Sequence, residues 1–513
     1  NPSNPTDYEI ERLGTSGTDY LKTSDISKAS DQTFYLDARV NYDRQFNLHH
    51  VTGMLMYMQR EYRSSVLPER NQGFSGRFTY DYGQRYLVEL NFGYNGTERL
   101  AKKERFEFFP AVSLGWVISN EKFFEPMTKY IDNLKIRGSY GLVGSDETGL
   151  SAGAQHFLYI DQVSLNNIGF TTGVDMNYTL YGPLVTNYAV VNGGWERVKK
   201  LDIGIDLELF RQLTITADYF NEKRYNILLH REAWPESLGY YTAKPWSNKG
   251  KVDNWGIELS VNWRKEFTKD LYVDFRGNFT YTENKYVNLD EPVYPYVWKT
   301  STGKPLSRTT GYIAQGLFSS QEEIDNSPTQ NLGSTVKPGD IKYRDVNGDG
   351  KIDGSDQVMI SPYGTTPRIQ YGLRMNVTYK KFDFGVFFNG SAKRTIMISG
   401  ISPFGQSDYN VMQFIADDYW SESNPNPNAK YPRLGLTSSQ TANNTVASTY
   451  WMRNGNFIRF KTLELGYKFK YGRVYLNGDN IAVFSPFKLW DPELSWNAYP
   501  LQRTFNIGVQ LNF

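Results

Sequence analysis

Apolar side chains recur at every second position through most of this chain. The closing stretch TFNIGVQLNF puts Phe505, Ile507, Val509, Leu511 and Phe513 on one face, against Asn506, Gly508, Gln510 and Asn512 on the other. TFYLDARVNYD does the same with Phe34, Leu36, Ala38, Val40 and Tyr42, and LDIGIDLELF with Leu201, Ile203, Ile205, Leu207 and Leu209. A helix, with its repeat of 3.6, cannot keep such a stripe on one side; a strand does so by geometry. A helical period shows only weakly, around VMQFIADDYW. The pattern predicts an antiparallel all-β chain with one apolar face per strand.

Alternation alone does not say which medium meets the apolar face. In a sandwich it looks into a dry core; in a membrane barrel it meets lipid while the polar face lines a wet lumen. Three features favour the barrel. Turns are tight at DYGQRY, LFRQL, TYKKFDF and KFKYGRVY, whereas long polar stretches fall near 144–193, 226–249, 288–365 and 396–450; short turns at one end and long loops at the other are a barrel trait. Apolar faces begin or end in aromatics (Tyr86, Tyr94, Trp255, Trp263, Tyr371, Tyr379), as an interfacial girdle requires. Trp116 reads the same way. The strands, about 10–18 residues, are long enough to cross a bilayer when tilted. The expectation is a large antiparallel transmembrane β-barrel, residues 1–513 contributing about 14–16 strands, with a soluble β-protein as the alternative.

Composition narrows the function classes. A formal charge of +1 in 513 residues gives no field for nucleic acid. With no Cys and 4 His, little material remains for thiol or imidazole chemistry. Asp417 and Asp418 are adjacent, but neighbours on a strand point oppositely, so they do not make a carboxylate pair for glycoside hydrolysis. No nucleophile elbow or phosphate-binding glycine loop occurs, and the chain does not read as an enzyme. The opening residues carry no basic-then-apolar leader.

Several motifs, in order, resemble the SusC/RagA-type TonB-dependent outer-membrane transporters of Bacteroidetes. TTGYIAQGLFSSQEEI and GDIKYRDVNGDGKIDGSDQVMI resemble that family's mid-barrel loop, and YWSESNPNPNAKYPRL its late loop. NFIRFKTLELGYKF resembles a late strand. VYLNGDNIAVFSPFKLWDPEL resembles its penultimate motif through Asn480, Asp491, Pro492 and Glu493, and RTFNIGVQLNF its closing strand. The resemblance implies a 22-stranded barrel preceded by a plug domain and a TonB box. The chain then reads as the C-terminal portion, the N-terminal plug and barrel portion being a separate or cleaved chain. It also implies the outer membrane of a Gram-negative bacterium and import of oligosaccharides or peptides. The expected partners are a SusD-like surface lipoprotein, the TonB complex and outer-membrane lipid. A passive porin and a soluble glycan-binding β-protein are the competing readings. An aromatic last residue, Phe513, resembles the signal read by outer-membrane assembly machinery; an ordinary closing strand is the plainer account.

Two constellations stand out in the loops. DVNGDGKIDGSD fits an EF-hand-type loop, with Asp345, Asn347, Asp349, Asp353 and Asp356 as oxygen donors and Lys351 offering its carbonyl around a structural Ca2+. It departs from that pattern at its last position, where Asp356 replaces Glu, and it lacks flanking helices; a loop capped by its own Asx turns is the alternative. Aromatic clusters offer stacking faces for a ligand: Trp234, Tyr240, Tyr241 and Trp246; Tyr294, Tyr296 and Trp298; Tyr409, Phe414, Tyr419 and Trp420. Loops this large also need small cores of their own, and each ring could serve there instead.

Overall fold

The computed structural model describes residues 30–64, 68–147, 158–190, 193–235, 237, 244–398, 411–435, 437–495 and 498–512. Fifteen strands form one antiparallel sheet in which each pairs with the next in sequence. They are β1 Gln32–Phe46, β2 His49–Arg63, β3 Glu69–Tyr82, β4 Tyr86–Thr97, β5 Phe106–Val117, β6 Ile131–Ser145, β7 Glu196–Leu209, β8 Leu213–His230, β9 Trp246–Thr268, β10 Leu271–Asn288, β11 Ile369–Tyr379, β12 Phe382–Ala392, β13 Phe457–Phe469, β14 Gly472–Phe484 and β15 Thr504–Leu511. Among the described residues, β1 pairs only with β2 and β15 only with β14. No described helix is long and apolar enough to cross a membrane, which says nothing about crossing by strands.

Turn chemistry explains the short connections. Asn47 (φ 58°), Gly83 and Gln84 (φ 58° and 54°), Phe210 and Arg211 (both φ 55°) and Lys380 (φ 53°) supply the left-handed residues that let a hairpin turn follow the twist of its strands. These turns share one end of the sheet. At the other end lie the connections 146–195, 231–245, 289–368, 393–456 and 485–503. The loop expected near 226–249 is shorter, because β8 runs on to His230 and β9 already starts at Trp246. The 146–195 connection holds a hairpin of its own, Gln162–Thr172 with Tyr178–Asn187, that the sequence reading did not anticipate. The weak helical period near Val411 survives only as the short helix Gln413–Ala416.

The apolar stripes face outward. Phe34, Ile203, Ile205 and Val509 are 53%, 47%, 44% and 59% exposed, so they do not form a dry centre. Register carries one stripe across the sheet: Tyr57 lies opposite Phe74, Phe74 opposite Tyr94, and Tyr94 opposite Phe108. Toward the short-turn end a second row runs His49, Tyr82, Tyr86, Trp116. Between them sit Leu55, Phe78, Leu90 and Val112. An apolar band edged by two aromatic rows is the outer surface of a membrane barrel.

Candidate functional site

The opposite face of the same strands is charged and cross-linked. Arg137 on β6 reaches Asp202 (3.1 Å) and Asp206 (3.3 Å) on β7 and Asp218 (2.5 Å) on β8. Gly204 makes this reach possible: a Cβ there would lie 2.2 Å from Asp218 Oδ1 and 2.6 Å from Arg137 Cζ. Asp274 on β10 accepts from Arg264 (3.1 Å) and Arg276 (3.2 Å). Arg473 on β14 pairs with Glu464 on β13 and, one strand further, with Asp383 on β12. Charges at Asp202 and Asp206, on the face opposite lipid-facing Ile203 and Ile205, fit a water-filled interior.

At the long-connection end, the described residues of 289–368, 393–456 and 485–503 pack into one folded dome. Its core includes Ile341, Tyr343, Ile352, Ile415, Trp420, Tyr431, Trp451 and Phe487. The dome is locked by polar groups as well. Asn443 and Asn444 are fully buried. Asn444 accepts the Ile341 N–H (2.8 Å) and donates to Asp340 (2.7 Å), while Asn443 accepts from Gln330 (2.7 Å) and donates to the Ile341 carbonyl (2.9 Å). Asp340, also fully buried, accepts from Arg433 Nη2 at 3.1 Å and from the Lys337 N–H at 2.9 Å. Burial pushes the Tyr343 and Tyr450 hydroxyls well above the usual phenol range. The Ser319 N–H and hydroxyl, aided by Lys342, hold the Glu323 carboxyl down at about 2. Satisfied networks of this kind make a loop rigid. Nothing in the sequence marked these residues, since paired asparagines in a polar stretch read as a turn.

The expected ligand aromatics are largely occupied. Trp420 is 5% exposed and lies over Gly339, where φ is 86° and a Cβ would sit 2.2 Å from the indole. Trp420 is therefore a core residue of the dome and not a ligand platform. Phe414 and Tyr419 pack against the same core, Phe414 with its ring 5.6 Å from that of Tyr431. Trp246, the first residue of β9, has its ring 3.6 Å from that of His230 at a tilt of 33°, and Arg231 sits 5.1 Å over Trp234. Tyr296 stacks on Trp298 at 4.7 Å. Tyr294 remains 37% exposed. Tyr240, Tyr241, Tyr409 and Phe513 lie outside the described residues.

The Tyr296–Trp298 pair has a different role: it holds the Asp-rich loop. Trp298 Nε1 donates to the Ser355 carbonyl (2.8 Å), and Asn347 Nδ2 donates to the Tyr296 hydroxyl (3.0 Å). Within the loop, carboxylates turn to backbone N–H groups. Asp345 accepts from Gly348 (2.6 Å) and Gly350 (2.9 Å), and Asp349 from Lys351 (2.9 Å). The fully buried Asp356 accepts from Val346 (2.8 Å) and Asp353 (2.9 Å). Asp353 caps the following turn through the Ser355 N–H, which holds its carboxyl below the ordinary range. Among the described residues, no three His, Asp or Glu side chains converge as a cation site.

The penultimate motif gains a physical meaning. Arg459 on β13 is 1% exposed. Its Nη2 meets both Asp491 oxygens (2.7 and 2.8 Å), its Nε meets Glu493 (2.7 Å), and its Nη1 meets Asn480. Asn480, at φ 55°, also donates to the Leu501 carbonyl (3.1 Å). The last long connection is thus tied to the barrel wall by the Arg459 guanidinium at Asp491 and Glu493 and by the Asn480 amide at Leu501.

Lipid-facing stripes, a charged interior and a domed outer end define a large outer-membrane barrel. The chain belongs to the family described as TonB dependent receptor-like, beta-barrel, whose model matches residues 2–481, and it is of the SusC/RagA type. It is 25% identical over 478 residues to TonB-dependent receptor P3 of Formosa agariphila, covering 85% of this chain and 45% of that protein. It is 27% identical over 469 residues to TonB-dependent receptor SusC of Bacteroides thetaiotaomicron, covering 86% and 43%. The chain spans about half the length of these relatives. The fold is similar to the RagAB peptide transporter, with a TM-score of 0.69 at 18% identity over 94% of this chain and 55% of that one.

Proposed function

We propose that this chain is the larger arc of an energised importer that carries oligosaccharides or peptides across the outer membrane. The carrying observation is a wide arc of lipid-facing wall whose inner face is charged. An open lumen of that width would leak, and backbone groups at the free edges of β1 and β15 must be paired in hydrocarbon. A further barrel portion and a plug answer both needs. In this reading the dome supplies part of the outer binding surface and part of the dock for a SusD-like lipoprotein, and TonB draws the plug aside. The test is uptake by intact cells in which the gene is deleted or restored. Gene-dependent uptake that stops when a protonophore collapses the proton gradient is expected; uptake that continues unchanged would identify a passive porin.

Self-capping of the Asp-rich loop gives a second expectation. Because its carboxylates already hold backbone N–H groups, thermal melting in detergent is expected to be the same in excess calcium and in EDTA. A rise of several degrees with calcium would instead place a structural Ca2+ in the loop.

A further inference from the structure

Above the charged belt, the inner wall of β8–β10 changes character. At Asn226, where φ is 58°, the β8–β9 ladder slips between Arg224 and Ile227. The slip brings Ile227 and Leu229 onto the face that Glu222 and Arg224 occupy lower down. With Val252, Leu289 and Leu306 they line a depression of about 480 Å³ that opens toward the interior. That volume lies in the range of ligand pockets and holds two or three amino-acid residues.

The chemistry of the lining selects among cargoes. Its charges are already paired: Arg224 with Glu196 at 2.5 Å and Lys200 with Glu222 at 2.8 Å. A charged guest would find no free counter-ion here, and an apolar guest would displace water from aliphatic surface. The apolar platform that suits a sugar ring is a flat aromatic face, not a branched aliphatic one. The single aromatic lining the depression, Tyr286, carries the Arg308 guanidinium 5.7 Å over its ring. Three of the loop rings offered for stacking are covered as well: Trp298 by Tyr296, Trp246 by His230 and Trp420 by the dome core.

We infer that this depression is a cargo subsite that seats the aliphatic side chain of an extended peptide, so that the imported class is peptide and not glycan. The assignment rests on the import reading and specifies its substrate class. The amides of Asn254 and Asn284 line the same wall, Asn254 Nδ2 donating to Glu222 (3.4 Å) and Asn284 Oδ1 accepting the Leu306 N–H (3.0 Å).

The test uses the complete outer-membrane protein, with the portion that accompanies this chain in the cell, purified in detergent. The probes are a Gly/Ser decapeptide with one central Leu, its central-Gly and central-Asp counterparts, and maltoheptaose, all read by calorimetry. The Leu peptide is expected to bind about tenfold tighter than the other two peptides, an increment of about 1.4 kcal/mol, and maltoheptaose is expected not to compete. Ile227→Asn with Leu229→Asn should reduce the Leu peptide to the Gly level. Leu306→Ala, which leaves every strand intact, should remove part of the preference even if the double variant fails to fold. Equal binding of the three peptides, competition by maltoheptaose, or unchanged preference in folded variants would overturn the subsite. A depression filled by a plug segment would give equal binding and overturn it too. Peptide preference without protonophore-sensitive uptake would sink the energised-import reading alone.

Discussion

Leu90→Arg is expected to destabilise the folded barrel by about 2–4 kcal/mol, although the residue it replaces is 51% exposed. Leu90 sits on β4 midway between Tyr86 and Tyr94, both outward-facing. Eight residues of strand span about 26 Å before tilt, close to the height of an outer-membrane apolar band of about 25 Å. Leu90 therefore lies near the bilayer midplane, with Phe78 and Val112 directly opposite it on β3 and β5. In water the same substitution at so exposed a site would change stability by no more than about 0.5 kcal/mol. The two media thus predict different outcomes from one mutation. Urea titration of protein refolded into phosphatidylcholine vesicles measures the difference. A Leu90→Arg variant within about 0.5 kcal/mol of wild type would remove lipid from the outer face, and the transport reading with it.

That contrast also marks what the residues made legible. Period two at Phe34–Tyr42 and Leu201–Leu209, set against tight turns at Phe210–Arg211 and Lys380, was enough to place strands and the ends of the barrel, because both are local properties of the backbone. The lateral partners were not local. Asn443 meets Gln330 across the dome, and Arg137 collects carboxylates from two further strands; no period in the chain encodes such meetings. The same limit explains the aromatics. Trp420 and Trp298 have equal stacking capacity on paper, but one is packed over Gly339 and the other is clamped to the Asp-rich loop by Ser355. Only tertiary contact decides which faces remain for a guest. The aliphatic depression escaped notice for a related reason: Ile227 and Leu229 join the inner face only through the slip at Asn226, and a strict alternation puts them on the outer one.

Arg459 shows how far a motif can be recognised without its physics. Asn480, Asp491 and Glu493 stood out as a pattern, whereas the guanidinium they converge on lay in a strand that read only as wall. Removing it leaves Asp491, whose side chain is 15% exposed, and Glu493, at 36%, without a directly bonded cation, the Arg394 guanidinium on the Pro492 carbonyl being the charge that remains nearby. Breaking a buried ion pair by deleting one partner costs about 3–5 kcal/mol. Glu493 can regain water, so Arg459→Ala is expected near the low end, about 3 kcal/mol. Arg459→Lys keeps the charge but not the planar fork that holds Asp491 with two bonds and Glu493 with a third, and should fall between alanine and wild type. The loss should be local as well as global. Residues 485–495 and 498–503 should exchange amide hydrogens faster in Arg459→Ala, while the hairpin of β1 and β2 should not change. Equal exchange and equal unfolding midpoints for alanine and wild type would mean that the guanidinium does not tie the last connection to the wall, and that the motif is kept together by the Arg394 contact to the Pro492 carbonyl (2.6 Å) instead.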